Sequence, residues 1–129
     1  MNDPHSEAGI SGKFTVSSDS RDAIVYAEMI GLFDPETAVA FEERVCREGV
    51  SVRQRVQGAD VGLLCDLRKS AVQSSAMLSP LAHMSETFSR TFARRAVLVS
   101  SPLFAMQIRR ICGVVREVGT AGLAGRAWF

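Results

Sequence analysis

The sequence predicts an α/β fold in which a mixed, mostly parallel sheet of five strands is flanked by about four helices. Beyond residue 30, short apolar runs alternate with segments whose apolar residues recur at helical spacing. Strands that alternate with helices favour parallel pairing through right-handed crossovers. Before residue 30, two strand-like segments follow each other without a helix between them, which predicts an antiparallel hairpin at the edge of the sheet.

Length and composition bound the organisation of the chain. Its 129 residues, 47% of them apolar, suit one hydrophobic core, so we expect a single domain over residues 13–129 after a loosely held polar tail at residues 1–12. No signal-peptide pattern or membrane-length apolar run is visible, which predicts a cytoplasmic protein. Cys46, Cys65 and Cys112 are odd in number and lie among apolar residues, which favours free, buried thiols.

Five segments have the pattern of strands. They are residues 13–18 and 23–30, which form the hairpin, and residues 61–67, 95–100 and 114–118. The stretch from Val61 to Leu67 is almost continuously apolar, which is typical of a strand covered on both faces. Asp66 is expected at the C-terminal end of this central strand.

Helix-start signals precede three of the four predicted helices. Asp34-Pro35, Ser79-Pro80 and Ser101-Pro102 each place a capping side chain before a proline. The apolar stripes that follow are Ala38, Phe41 and Val45 in the first helix, Leu81, Met84, Phe88 and Phe92 in the second, and Ala105, Ile108, Ile111 and Cys112 in the third. Gly49 either interrupts the first helix or lies within it. A fourth helix is expected over residues 120–129.

Several segments in this order are similar to those of a known family. They are Gly31-Leu32-Phe33-Asp34-Pro35-Glu36, Leu64-Cys65-Asp66-Leu67-Arg68, Met106-Gln107-Ile108-Arg109-Arg110 and Ala127-Trp128. Together they resemble bacterial STAS/SpoIIAA-like domains over residues 13–129. The resemblance implies a small mixed sheet flanked by helices, and a non-enzymatic regulatory or protein-interaction module.

The resemblance also draws attention to two serines. In the anti-sigma factor antagonists of this family, a serine at a helix start is phosphorylated within an Asp-Ser-Ser-Gly motif. The comparable stretch here is Gln73-Ser74-Ser75-Ala76, with glutamine in place of the acid, alanine in place of the glycine and a spacing one residue shorter. Two roles stay open for Ser74 and Ser75: accepting a phosphate near a helix N-terminus, or capping that helix.

A partner surface is predicted where the strands end. It comprises Asp66, Arg68, Ser74, Ser75 and Arg109, because open α/β sheets bind their ligands outside the carboxyl ends of their strands and arginine recognises anions through its planar donor fork. Asp66 and Arg68 are expected to form a structural ion pair, with an acid/base pair as the alternative. Nucleic-acid binding is not predicted, since the basic stretches lack interleaved aromatic residues.

Two other classes of function are kept as alternatives. The first is a binding protein for a lipid-like or small anionic ligand, with Met77, Leu81, Met84 and Phe88 lining a pocket beneath Arg109, although the same residues also suit a core. The second is an enzyme, for which His83 is a candidate base. No phosphate loop, nucleophile elbow or HExxH motif is present, and no metal or cofactor is predicted.

Charge is distributed unevenly along the chain. Residues 1–66 contain 12 acidic and 6 basic side chains, whereas residues 67–129 contain 2 acidic and 9 basic ones. Three interpretations stay open: a basic face for an anionic partner, complementary faces for a homodimer, or pairing of the two halves within one fold. An unidentified protein and a second copy of the chain are therefore the expected partners.

Overall fold

The computed structural model describes residues 12–112, 117–119 and 125–128, which form a six-stranded sheet and three α-helices. The sheet has the order β1-β2-β3-β4-β6-β5. Its strands are β1 (Lys13–Asp19), β2 (Ile24–Gly31), β3 (Gly62–Ser70), β4 (Arg94–Val99), β5 (Glu117–Gly119) and β6 (Gly125–Trp128). The helices are α1 (Pro35–Arg55), α2 (Leu78–Thr91) and α3 (Pro102–Cys112), and a short 3-10 turn (Ser75–Met77) precedes α2.

The predicted α/β class and the mixed sheet are confirmed, whereas the counts of five strands and four helices are wrong. The sheet is also not mostly parallel, because only β2–β3 and β3–β4 pair in parallel among the five described pairings. The hairpin adds an antiparallel pair at one edge, as predicted, and β6 and β5 add two more at the other. The predicted domain bounds, 13–129, stay a prediction.

The end of the chain differs most from expectation. Residues 125–128 form β6 rather than part of a terminal helix, with Gly125 opposite Val99 and Trp128 opposite Ala96. This pairing satisfies the backbone groups along an otherwise free edge of β4, and glycine itself disfavours a helix. The predicted strand at 114–118 is represented by β5. The rest of these two predictions, and the N-terminal tail up to residue 11, lie outside the described residues.

Helix α1 confirms the sequence-based signals at its start. The Asp34 carboxylate accepts a hydrogen bond from the backbone N–H of Thr37 at 2.7 Å, and Pro35 occupies the first turn. Ala38, Phe41 and Val45 are buried as predicted. Gly49 does not interrupt the helix; its lack of a side chain lets the ring of Phe92 pack directly on the helix backbone.

The other two helices start differently from each other. Ser101 caps α3, since its hydroxyl accepts a hydrogen bond from the N–H of Phe104 at 3.2 Å, as predicted. The predicted cap of α2 at Ser79 is wrong, because the helix already begins at Leu78, directly after the 3-10 turn, and Met77 at the cap position makes no side-chain hydrogen bond. Pro80 is tolerated because it still lies in the first turn.

All three helices pack on one face of the sheet, which we call the helix face. One cavity there is lined by Phe41 of α1, Met84 of α2, Ile108 of α3, and Leu63, Cys65 and Leu67 of β3, among others. An edge-to-face series of rings, Phe14, Phe41, Phe88 and Phe92, runs through the same layer. This layer is the hydrophobic core.

Alternate strand residues point to the opposite face, which we call the open face. It carries Ile24, Tyr26, Glu28 and Ile30 of β2, Leu64 and Asp66 of β3, and Arg94, Ala96 and Leu98 of β4. The prediction that β3 is covered on both faces is not met within the described residues, since no described helix lies against the open face.

Candidate functional site

A buried glutamine organises the loops at the carboxyl ends of β2 and β3. The side chain of Gln73, which is 4% exposed, accepts a hydrogen bond from the N–H of Phe33 at 2.9 Å. Its amide nitrogen donates to the carbonyl oxygens of Gly31 at 3.2 Å and Ala71 at 2.7 Å. The segment before α1 and the loop after β3 are therefore held together by one side chain.

Gln107 of α3 joins the same network. The backbone N–H of Gln73 donates to Oε1 of Gln107 at 2.9 Å, and Nε2 of Gln107 donates to the backbone oxygen of Gln73 at 2.8 Å. This reciprocal pair fixes α3 against the loop that follows β3.

A surface depression of about 410 Å³ lies beside this glutamine pair. We call it the loop groove; it is lined by Gln73, Ser75, Leu78, Leu103, Met106, Gln107 and Arg110. Leu103 and Met106 are 68% and 56% exposed, and Leu78 is 42% exposed. Apolar side chains of this size, clustered and exposed on two neighbouring helices, are typical of an interaction surface.

The charge beside the loop groove is positive. Arg109 and Arg110 are exposed and make no ion pair with any described residue. Between Leu67 and Cys112 the sequence has a single acidic residue, Glu86, which pairs with Arg90 on α2. The loop groove therefore combines an apolar floor with a basic border that no described acidic side chain neutralises.

The predicted pair of Asp66 and Arg68 is an ion pair, but it lies away from the loop groove. Strand β3 continues to Ser70, so Asp66 sits within the strand rather than at its end. The Arg68 guanidinium donates to both carboxylate oxygens, at 2.9 and 2.7 Å, and lowers the pKa of Asp66. The same contact raises the pKa of Arg68. A carboxylate held in this way is a poor proton acceptor.

The other predicted surface residues lie near the loop groove. Ser75 lines it, and Ser74 is exposed immediately before the 3-10 turn. Neither hydroxyl makes a hydrogen bond with a described residue, so the predicted capping role is not seen. Arg109 lies beside Arg110 on α3 but does not line the depression. The structure thus separates the predicted surface into the Asp66–Arg68 pair and the residues near the loop groove.

The four residues of the alternative pocket belong to the core. Met77, Leu81, Met84 and Phe88 are all buried, and the last three line the cavity on the helix face. That cavity has a volume of about 70 Å³. Even benzene occupies an engineered cavity of about 150 Å³, so a lipid-like ligand requires the core to rearrange. Arg109 is exposed and does not line the cavity.

The candidate catalytic residues, His83 and Asp66, also lie apart from each other. His83 is exposed on α2, with Nδ1 3.3 Å from a carboxylate oxygen of Glu42 on α1, whereas Asp66 lies on the open face. Cys65 is buried in the core, as predicted, and Cys46 is half-buried beside Thr91. The side chain of Cys112 lies outside the description. Within the described residues, no group of three His, Cys, Asp or Glu side chains is arranged to hold a metal ion.

Sequence reasoning did not identify Gln73, Gln107, Leu103 and Met106 as site residues. In the sequence, Gln73 is only a departure from a serine motif, and Gln107 is only one position of a segment that resembles a family. One signal was available: with Ala105 and Ile108 facing the core, Leu103 and Met106 fall on the outward side of α3. Exposed apolar residues on an amphipathic helix indicate a contact surface.

No known family model matches the chain, and no curated protein matches its sequence. Among the described residues, none of the helices has the length and apolar character that crossing a membrane requires.

Proposed function

We propose that the chain is a STAS/SpoIIAA-like, non-enzymatic protein-interaction module that docks its partner in the loop groove. The observation that carries the proposal is the exposed apolar pair, Leu103 and Met106, beside two arginines that make no ion pair with a described residue. Such a surface matches a partner segment with apolar side chains on one side and acidic side chains at its border. An amphipathic helix with an acidic flank has this chemistry.

The rigidity of the loop groove supports this function. The Gln73–Gln107 pair joins α3 to the loop after β3 through hydrogen bonds to backbone atoms. The apolar side chains of the loop groove are therefore presented on ordered elements. A pre-ordered surface loses less conformational entropy on binding than a flexible loop does. The small core cavity and the arginine-bound Asp66 give no comparable support to the ligand-binding and enzyme alternatives.

The decisive experiment compares partner capture by two double variants. In Leu103→Glu/Met106→Glu, charge replaces the apolar floor of the loop groove. In the matched control, Val39→Glu/Val50→Glu, charge replaces two apolar residues of α1 that are 55% and 45% exposed. We expect the wild-type chain and the control to retain the same partner from a lysate of the source cells, and the groove variant to lose it. A partner retained equally by both variants contradicts the proposal.

A second comparison tests the charge of the partner. Arg109→Glu/Arg110→Glu should weaken binding of the captured partner by at least about tenfold, through like-charge repulsion and loss of pairing. Ser74→Asp/Ser75→Asp should weaken it too, because the new carboxylates face the same acidic border. Unchanged affinity in both variants means that the partner docks elsewhere.

A further inference from the structure

The outer edge of β1 pairs with no other strand among the described residues. β1 ends the sheet on one side, and its seven residues, Lys13–Asp19, pair with β2 alone. In an edge strand, every second residue points its backbone N–H and C=O groups away from the sheet, where another strand can reach them. β1 therefore offers a row of hydrogen-bonding groups to a strand from outside the described sheet.

The interior of β1 has none of the features that usually prevent pairing at a sheet edge. Those features are a proline, a bulge, charges along the strand or a very short strand. β1 keeps an unbroken register with β2 over all seven residues and contains no proline. Its charges, Lys13 and Asp19, are at its two ends, and the five residues between them are uncharged. The edge is therefore suited to strand pairing.

The two ends of β1 carry opposite charges. Lys13 is exposed, whereas Asp19 is half-buried and accepts a hydrogen bond from the backbone N–H of Arg21 at 2.9 Å. Neither Lys13 nor Asp19 makes an ion pair with a described residue. Six residues apart on one strand, both side chains point to the open face. Each charge is thus open to a partner of opposite sign.

Other charges on the open face near these two residues cancel in pairs. Glu28 of β2 lies diagonally across from Lys13 in the β1–β2 register, and it pairs with Lys69 at 3.6 Å. Beyond Asp19, the exposed turn adds one cation and one carboxylate, Arg21 and Asp22. Lys13 and Asp19 therefore determine the charge pattern along this edge of the open face.

A second charged group lies beside β1 on the helix face. Glu48 of α1 accepts a hydrogen bond from Ser18 and pairs with Arg44 at 2.7 Å and with Arg55 at 3.8 Å. This group leaves one positive charge, on the opposite side of the sheet from the side chains of Lys13 and Asp19. It does not take part in their contacts.

We infer that β1 pairs antiparallel with β1 of a second copy of this chain, so that two sheets join across a two-fold axis at Val16. The register that pairs all seven residues is centred on Val16, and it places Lys13 of each copy opposite Asp19 of the other. It also places Thr15 opposite Ser17, and Val16 opposite itself. Opposite charges, hydroxyl pairs and β-branched pairs all stabilise antiparallel strands. A parallel pairing would instead place Lys13 beside Lys13.

The packing of α1 leaves room for the second copy. α1 lies over β1 and β2. At a strand spacing of about 4.8 Å, the two-fold axis therefore separates the two α1 helices by roughly 10 Å, which is the distance between packed helices. Phe14 and Val16, which pack against the core but stay partly exposed at the edge, are then covered further by the second copy.

The contact is small, so we expect a weak dimer. Seven residue pairs supply about six to eight backbone hydrogen bonds. One strand pair buries less than the roughly 1,600 Å² of a standard interface, which predicts a dissociation constant in the micromolar range or weaker. The edge of β1 is separate from the loop groove, and this inference does not depend on the proposed function.

Charge reversal in the full chain tests the pairing and its direction. Sedimentation between about 1 and about 500 μM should show a monomer–dimer equilibrium for the wild type. Lys13→Asp and Asp19→Lys should each associate at least about tenfold more weakly, because both cross-strand pairs become repulsive. The control Glu43→Lys, a reversal at an exposed position of α1, should associate like the wild type.

Two combinations of these variants should restore association. An equimolar mixture of Lys13→Asp and Asp19→Lys should form heterodimers, and the double variant Lys13→Asp/Asp19→Lys should again form homodimers, because opposite charges face each other in both. A wild-type chain that stays monomeric overturns the inference. So does a wild-type dimer whose association neither single variant weakens, or one for which neither combination restores it.

Hydrogen exchange identifies the edge that pairs. Exchange should slow in every second residue of β1 at concentrations where the dimer forms, and it should not slow in Lys13→Asp. A dimer without slower exchange in β1 overturns the inference, as does equally slow exchange in the monomer, since the edge is then covered from within. The Leu103→Glu/Met106→Glu variant should still dimerise, so failure of the loop groove and failure of the dimer can be told apart.

Discussion

Gln73 and Gln107 exchange two hydrogen bonds between the loop after β3 and helix α3, although 34 residues separate them. In each bond the side chain of Gln107 meets the backbone of Gln73. The side chain of Gln73 is thus left to bind the backbone of Gly31, Phe33 and Ala71. Two amides therefore connect three separate segments at the end of the sheet where the loop groove lies.

Replacing Gln73 with methionine should destabilise the protein by about 2–4 kcal/mol, which urea unfolding measures. Methionine keeps the length of the side chain but leaves the N–H of Phe33 and the carbonyl oxygen of Ala71 without a described partner, whereas the carbonyl oxygen of Gly31 keeps the N–H of Ala71 at 3.4 Å. Each buried unpaired group costs about 1–3 kcal/mol. A loss below about 1 kcal/mol means that water replaces the side chain and that the network does not hold the loops.

Gln73→Glu is the companion variant, with a distinct pH signature. A carboxylate at this buried position faces the carbonyl oxygens of Gly31 and Ala71, to which the native amide donates. The loss of unfolding free energy relative to wild type should therefore be larger at pH 7 than at pH 4. At pH 4 the carboxyl group takes up a proton and can donate a hydrogen bond again. Equal destabilisation at both pH values argues against these contacts.

Gly49→Ala should destabilise the protein by about 1–3 kcal/mol, opposite to the usual effect of this change in a helix. Alanine normally gains about 1 kcal/mol over glycine in a helix interior. Here its Cβ meets two carbons of the Phe92 ring at 2.9 Å, and that ring is buried against Phe88. In a Phe92→Leu background the same change should become neutral or stabilising. Stabilisation in the native background contradicts the packing.

Glu48 should make the stability of the protein depend on pH. Its pKa is lowered by a hydrogen bond from Ser18 at 2.5 Å and by Arg44 at 2.7 Å. Since the folded-state pKa lies below the unfolded value, the stabilisation is complete above the ordinary glutamate range and disappears as the pH falls through the folded-state pKa. Glu48→Gln should cost about 1–3 kcal/mol at pH 7 and nothing at strongly acidic pH.

Glu43 provides the control on the same helix. It is exposed and makes no ion pair with a described residue. Unfolding free energies of wild type, Glu48→Gln and Glu43→Gln from pH 7 to pH 3 should show a pH-dependent difference only for Glu48. A constant difference across this range refutes the electrostatic account of the Ser18–Glu48–Arg44 contact.

Local signals explain the parts of the fold that the sequence predicts well. Asp34-Pro35 and Ser101-Pro102 start helices through contacts within one turn, and the hairpin before residue 30 needs no distant partner. The end of the chain was predicted wrongly because Gly125–Trp128 becomes a strand through pairing with β4, whose distance along the chain no local pattern encodes. Asp66 was misplaced because polar residues after Cys65 resemble a strand end, although β3 continues to Ser70.

The sequence predicts the candidate site less completely than the fold, because the site also depends on contacts between segments that lie far apart in the chain. The sequence singles out Ser74, Ser75 and Arg109 because their types are typical of recognition, and Asp66 and Arg68 because an acid and a base this close in sequence suggest an ion pair. Glutamine has no charge or motif of its own, so the roles of Gln73 and Gln107 depend entirely on which backbone groups the fold brings near them.

Cys46 should react slowly with alkylating reagents, and its neighbours Thr91 and Glu42 should change the rate in opposite directions. Burial raises the pKa of the Cys46 thiol, the hydrogen bond with Thr91 opposes that rise, and the charge of Glu42 adds to it. Because the thiolate is the reactive form, we expect alkylation at pH 7 to be several-fold slower than for a free thiol and to accelerate with pH. Thr91→Val should slow it further, and Glu42→Gln should accelerate it.

Peptide mass spectrometry separates Cys46 from the other cysteines, and the buried Cys65 serves as an internal reference that reacts only on unfolding. If Thr91→Val instead accelerates alkylation, access to the thiol rather than its pKa limits the reaction, and the hydrogen bond between Cys46 and Thr91 acts mainly by closing the gap between α1 and α2.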